Sequence, residues 1–372
     1  MQQLRGLNLG GWLMMEGYIL GGRNIPEHLF KRELAKLYGP DFVVEFTKRF
    51  RESFITDQDF ARIKKLGLNC VRLPFNYRLL EEHHGFEYLQ NVVGRIGEAG
   101  LQVILDMHAV PGSQNTDWHS DSEGQALFWE NSADREKYFA LWQKLAQTFK
   151  NEVALAGYDV MNEPVTKDVK LLTEVFQQVV EIIRGEGGRQ TIFLEGDEWG
   201  TNIEFIKDIK GDNLAISIHF YQPFNFVFNW LPADKYPDEY WHKEKLRSML
   251  KNYADFARQL KLPVLVGEFG VVSRCPCCGA EFQWVKDVLD IFQEFGWSWT
   301  YWTYKSIQGM KFPDGLYQLS DTTGIIGTPA HETGLDNFYQ LLKDRREEFF
   351  RVWKTDNFKL NDKLVEILKV NY

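Results

Sequence analysis

Cysteine, proline and positive charge are all scarce in this chain. Four cysteines and 12 prolines in 372 residues exclude a small scaffold held by disulfides and a proline-rich linker protein. Cys70 falls in an apolar segment and reads as core. The other three form the cluster Cys275-Pro276-Cys277-Cys278-Gly279. It resembles half a zinc knuckle, but no second pair completes four ligands, so neither a metal nor any other cofactor is expected. Reduced thiols or a local disulfide are the plainer readings. Acidic residues outnumber basic ones, 52 to 43, for a net charge of −9. With no basic run, a nucleic-acid surface is not expected. No apolar stretch approaches a membrane span, so no membrane partner is expected. The first residues lead into a strand pattern without a charged and then apolar leader, which points to a cytoplasmic protein, or a secreted one if a leader has been removed. Fixed-period repeats and low-complexity segments are also missing. Nothing in the sequence speaks to oligomeric state.

What is present is aromatic and periodic. Aromatics make up 15% of the residues, with 12 Trp, 15 Tyr and 28 Phe. Most of the Phe belong in a large core, but aromatic faces also pack on the C–H faces of sugars. Short apolar runs that read as strands fall at 4–9, 69–74, 102–107, 153–161, 191–194, 215–220, 262–270 and 297–304. Between them lie helical patterns, at 26–54, 57–66, 88–99, 134–150, 170–185, 239–260, 281–295 and 335–353. Thr56 or Asp57 can cap the second of these. Eight strands alternating with helices predict parallel strands closed into a single (β/α)8 barrel spanning residues 1–372, with a tail from about 354 that the pattern does not place.

Two of the strands end in glutamate. The run from Val153 to Met161 stops at Asn162-Glu163-Pro164, and the run from Leu262 at Gly267-Glu268-Phe269-Gly270. Proline should push Glu163 into an extended conformation at the strand's lip. Carboxylates at the C-terminal ends of two barrel strands face each other across the mouth. Such a pair suits glycoside hydrolysis, one acid protonating the leaving oxygen and the other attacking the anomeric centre. The acid must keep its proton near neutrality, which asks for burial or a neighbouring carboxylate. The same lips carry Glu16, Arg72, His108, Glu195 or Asp197, His219, Tyr221 and Trp302. A loop unusually long for a compact domain, 109–120, follows the third strand.

With these residues in order, the chain resembles glycoside hydrolase family 5, and within it the exo-β-1,3-glucanase branch. The opening GLNLGGWLMME (Gly6 to Glu16) and the loop VPGSQN (Val110 to Asn115) carry the likeness, which extends from Gly6 to Lys305. The resemblance implies that Glu163 is the acid/base and Glu268 the nucleophile. Arg72 and Tyr221 would hold Glu268, Asn162 would grip the sugar 2-hydroxyl, and His108 and His219 would orient the sugar and Glu163. Trp302 would floor the sugar subsite, Glu16 would bind the non-reducing end, and Asn115 belongs to the loop that closes the pocket. After PGSQN the chain departs from the branch and reads Thr116-Asp117-Trp118-His119-Ser120. Trp118, Phe224 and Trp230 are candidates for the aglycone side. The expectation is a retaining β-glycosidase that removes glucose from short β-glucans or β-glucosides, with carbohydrate as its partner. The rivals are an endo-β-1,4-glucanase or mannan-active enzyme of the same family, a barrel that binds carbohydrate without catalysis, and a zinc protein built on the Cys275 cluster.

Overall fold

The structure is a computed structural model that describes residues 2–21, 24–231, 235–273, 279–309, 311–319 and 338–369. Cys275, Cys277 and Cys278 lie outside the described residues. Eight parallel strands close a barrel in chain order: β1 (Arg5–Asn8), β2 (Cys70–Asn76), β3 (Gln102–Ala109), β4 (Leu155–Asp159), β5 (Thr191–Glu195), β6 (Leu214–His219), β7 (Val264–Phe269) and β8 (Ser298–Tyr301). The seam pairs β1 with β8, Arg5 with Trp299 and Leu7 with Tyr301. Among the described residues no helix is long and apolar enough to cross a membrane.

Side chains two apart on a strand share a face. On the face turned into the barrel, this spacing separates an apolar layer from a polar one. Cys70, Ile104, Phe193, Ala215 and Leu265 form a buried cluster with Leu4, separate from the main core. Two residues further along the same strands stand Arg72, Asp106, Glu195 and Ser217, and two further again His108 and His219. The barrel is therefore filled at its N-terminal end and polar at its C-terminal lip. At Gly267 a Cβ would lie 2.9 Å from Ser217 Oγ and 3.2 Å from His219 Nε2, so the missing side chain makes room for His219.

Several boundaries differ from the sequence reading. The helical pattern at 26–54 is two helices, Glu27–Tyr38 and Pro40–Phe54, broken at Gly39 with φ 87°. Proline is tolerated as the first residue of a helix but not within one. Val153 is not a buried strand residue: it is 89% exposed, and β4 starts two residues later. The last segment is part of the fold. Lys359–Leu360 (β11) pairs with Tyr317–Leu319 (β10), which pairs with Lys305–Ile307 (β9) in a small sheet beyond β8. Leu364, Val365 and Leu368 of the helix Asp362–Leu368 are buried in the main core.

Candidate active site

Arg72 is the centre of the polar layer and is fully buried. Nε donates to Asp159 at 2.8 Å, Nη1 to Glu268 Oε1 at 2.7 Å and to Asn8 at 3.1 Å, and Nη2 to Asn162 Oδ1 at 2.8 Å. Asp106 and Glu195 pair with the same guanidinium at 3.0 and 3.5 Å. A planar fork with five donors suits this number of acceptors. One cation cannot keep so many buried carboxylates ionised. Burial pushes Glu195 up to about 8, Asp106 to about 7 and Asp159 to about 6, against the pull of Arg72.

Glu268 takes a second hydrogen bond on its other oxygen, from the Tyr221 hydroxyl at 2.8 Å. Both oxygens are thus held by donors, an environment that suits an ionised carboxylate. Glu163 lies opposite. His219 Nδ1 is 2.7 Å from Glu163 Oε1 and 3.6 Å from Glu268 Oε2. Ligand-type atoms of Glu163, His219 and Glu268 lie within 4.8 Å of one another. Among the described residues this is the cluster a metal could use, but the Arg72 guanidinium already supplies positive charge to Glu268.

The conformation at Glu163 departs from the extended geometry expected before proline. Its φ is 45°, in the left-handed region, which a non-glycine residue adopts only at a cost. Two buried side chains fix it there. Glu195 Oε1 accepts from the Glu163 N–H at 2.6 Å, and Asn115 Nδ2 donates to its carbonyl at 2.9 Å. The strand itself ends earlier, at Asp159.

The proton expected on Glu163 is also placed differently. Burial works to raise its carboxyl, but two imidazoles outweigh it and hold the group well below the usual carboxylate range. One is His219. The other, His119, lies with Nε2 3.0 Å from Glu163 Oε2. Burial works against a charged His119, yet the hydrogen bond and charge of Glu163, with Asp117 and Glu16 behind, push it up to about 9. His219 is raised as well: burial opposes the charge, and Glu195, Glu268 and Glu163 override it. His108, by contrast, is lowered by burial and stays neutral, with Nδ1 2.7 Å from Asp106.

The other candidates line a cavity of about 790 Å³ or support it. Glu16, His108, Trp302 and Tyr18 stand at its inner end. The Trp302 indole donates to the Tyr18 hydroxyl and stacks on His108 at 5.5 Å and 10°. Glu16 is buried, pushed up to about 8 mainly by that burial, and its Oε1 has no hydrogen-bond partner among the described residues. The Asn162 Nδ2 is likewise unpartnered there. Trp118 lines the cavity with its ring 5.4 Å from Phe312, which in turn lies 5.0 Å from Tyr18. Phe224 and Trp230 line the outer part, 6.2 Å apart. Asn162 is fully buried and does not line the cavity, and the same holds for Asn115, whose amide engages Glu163, His119 and the Asp117 N–H.

The sequence reading assigned no role to His119, Asp106, Asp159, Tyr18 or Trp199. Asp106 was visible in principle, two residues before His108 on one strand face. Trp199 and its neighbour Glu198 both have left-handed φ, 57° and 54°, and the Trp199 indole donates to Asp117 Oδ2 at 2.8 Å. No sequence signal announces such a strained pair.

A closed β/α barrel with two carboxylates facing each other at its C-terminal lip, one clamped by a buried arginine, defines a glycoside hydrolase. The chain belongs to glycosyl hydrolase family 5: the sequence model described as "Cellulase (glycosyl hydrolase family 5)" matches residues 39–307. It is 34% identical over 333 residues to a protein named beta-xylosidase from Phanerodontia chrysosporium, covering 82% of this chain and 68% of that one. It is 25% identical to endoglucanase C of Acetivibrio thermocellus, over 70% and 87% of the two chains. It is 27% identical to a probable glucan 1,3-beta-glucosidase A of Neosartorya fischeri, over 73% and 66%. A crystal structure described as Thermotoga maritima Cel5A in complex with mannotriose shares the fold, with a TM-score of 0.65 at 18% identity and 98% and 97% coverage.

Proposed function

We propose that the protein is a retaining, exo-acting β-glycosidase that removes glucose from the non-reducing end of short β-glucans or β-glucosides. The observation that carries the reading is the approach of Glu163 and Glu268, oxygen to oxygen within 4.8 Å. Retaining enzymes hold their carboxyl groups about 5–5.5 Å apart, whereas inverting ones leave about 6.5–9.5 Å for a water. In this reading the Glu268 carboxylate bonds to the anomeric carbon as the glycosidic C–O bond breaks. The leaving oxygen takes its proton from Glu163. Glu163 then deprotonates a water, which displaces Glu268 and releases the sugar with its configuration retained. Arg72 and Tyr221 hold and aim the two oxygens of Glu268. In this reading Asn162, whose Nδ2 has no partner among the described residues, donates to the 2-hydroxyl, His108 orients the sugar, and Trp302 floors its subsite.

Exo action is supported by the inner end of the cavity. Glu16, with an unpartnered oxygen, stands where a terminal sugar would offer hydroxyls, and the rings of Tyr18 and Phe312 wall that end, with Trp118, expected on the aglycone side, packed against Phe312 instead. A hexasaccharide labelled at its reducing end tests the reading. Stepwise loss of single glucose units, first seen by NMR as the β-anomer, is the expected course. Early internal fragments would replace it with an endo-acting enzyme, and α-anomer released first would overturn retention.

A further inference from the structure

The outer half of the cavity differs in chemistry from the inner half. Trp199, Phe224, Phe228, Trp230, Met249 and Tyr253 line it. The rings of Phe228, Phe224 and Trp230 form a continuous strip leading away from the nucleophile, and Trp199 lines the same part of the cavity. Tyr221, bonded to Glu268, lies 5.2 Å from Phe228, which stacks on Phe224 at 5.2 Å and lies 5.8 Å from Trp230. The strip reaches solvent unprotected: Phe224 is 41% exposed, Trp199 43% and Trp230 52%. The nearby polar side chains are mostly committed. Asp117 accepts from Trp199, and Thr201 Oγ1 donates to the Glu198 carbonyl at 2.7 Å. Glu198, Gln222, the Tyr253 hydroxyl and the Trp230 indole N–H are the polar groups that remain along this part of the cavity. A sugar there could lay a C–H face on the rings, but its several hydroxyls would have to find partners among these few groups, and each one left unmet is costly. An apolar group would instead bury the exposed rings, which lie in a cleft that leads to the catalytic pair.

We propose that the preferred leaving group is an apolar alcohol, alkyl or aryl and long enough to reach Trp230, rather than a second sugar. The proposal rests on the catalytic reading above and adds the class of aglycone. Its chemistry is hydrolysis. The bond between the anomeric carbon and the aglycone oxygen breaks, that oxygen receives the Glu163 proton, and water supplies the hydroxyl that the released sugar carries.

The test is kcat/KM for n-alkyl β-D-glucosides from methyl to octyl, each below its micellar concentration, beside laminaribiose and cellobiose. The alcohols from ethanol upward differ little in acidity, so the trend reports binding of the chain. The expected rise is about two- to fourfold per methylene, with octyl glucoside ahead of both disaccharides. Trp230→Ala should flatten the slope. The inhibition constants of octyl and methyl β-D-thioglucoside, which are not cleaved, should differ in the same sense and need no variant. A flat series with a disaccharide preferred over octyl glucoside would overturn the proposal and leave the catalytic reading intact. No hydrolysis of any β-glucoside, disaccharides included, would remove both.

Discussion

Glu163 carries an imidazole on each oxygen, and this bears on how it can act as an acid. A proton between Glu163 Oε2 and His119 Nε2 sits on the imidazole in the free protein, because His119 is raised to about 9 and Glu163 is lowered. The groups facing His119 are Glu163, Asp117, Glu16 and, 6.0 Å away ring to ring, His108. Moving that proton across the 3.0 Å contact between the two atoms gives a neutral Glu163 ready to donate. The raised His119 keeps it as pH rises and loses it near 9, so the alkaline limb of kcat/KM is expected near pH 9. His119→Asn removes the store. The limb should move to lower pH, and kcat/KM on a poor leaving group should fall about tenfold or more, toward the range of lost general acid catalysis; an unmoved limb would contradict this. The two glutamates should separate by leaving group. Glu163→Gln should still form glycosyl-enzyme from a dinitrophenyl glycoside, whose leaving group needs little protonation, whereas Glu268→Gln should form none. Mass spectrometry of the denatured variants distinguishes the two.

At the scale of elements, the helix Asp57–Lys65 ties the barrel to its last segment. Thr56 and Asp59 form a reciprocal capping box, with the Thr56 N–H donating to Asp59 Oδ2 at 2.7 Å. Asp59 also accepts from the Tyr304 hydroxyl at 2.8 Å and from Arg62 at 2.9 Å. Burial works to raise its carboxyl, but Lys305, Tyr304 and the cap outweigh it and lower it. Its contribution is therefore present above the ordinary carboxylate range and lost as pH falls. Thr56→Ala is expected to cost about 1 kcal/mol. Asp59→Ala should cost about 3 kcal/mol or more, since a charged acceptor with several donors is removed. Urea unfolding at neutral pH reads both. The cap was legible in the sequence, as were all eight strands and their order, because strand alternation and breakers are local signals. The break at Gly39-Pro40 was legible too, as a Gly-Pro pair, but the helical reading runs across it. The exposure of Val153 and the docking of Asp362–Leu368 were not, because tertiary contacts decide them. The site divides in the same way. Glu163, Glu268, Arg72 and Tyr221 stand in motifs at strand ends. His119 comes from a loop whose path depends on Asn115 and Trp199, residues that no periodicity places.

For the molecule as a whole, the polar layer makes stability depend on pH. Glu16 and Glu195 are raised to about 8, Asp106 to about 7 and Asp159 to about 6. A raised acid keeps in the folded state a proton that the unfolded chain has released. Its contribution is complete below the ordinary carboxylate range and lost as pH rises through the folded value. His108, lowered by burial, acts in the opposite sense only up to its ordinary value near 6.5. Buried Lys305, lowered to about 7, opposes the decline above that value, while the raised His119 and His219 add to it. With more groups acting downward, Tm is expected to fall between pH 6.5 and 8, by roughly 2 °C for each kcal/mol lost in a chain of this size. Glu195→Gln should make the decline shallower, which calorimetry across that range would show. The seam between β1 and β8 has a consequence for synthesis. Arg5 finds its partner Trp299 only after almost 300 further residues have been added, which takes roughly 15–60 s at cellular translation rates. Throughout that interval β1 can pair only with β2 and keeps one free edge, a template for pairing with other chains. Truncated chains that end before the eighth strand are therefore expected to aggregate where the full chain does not, which light scattering of both would show.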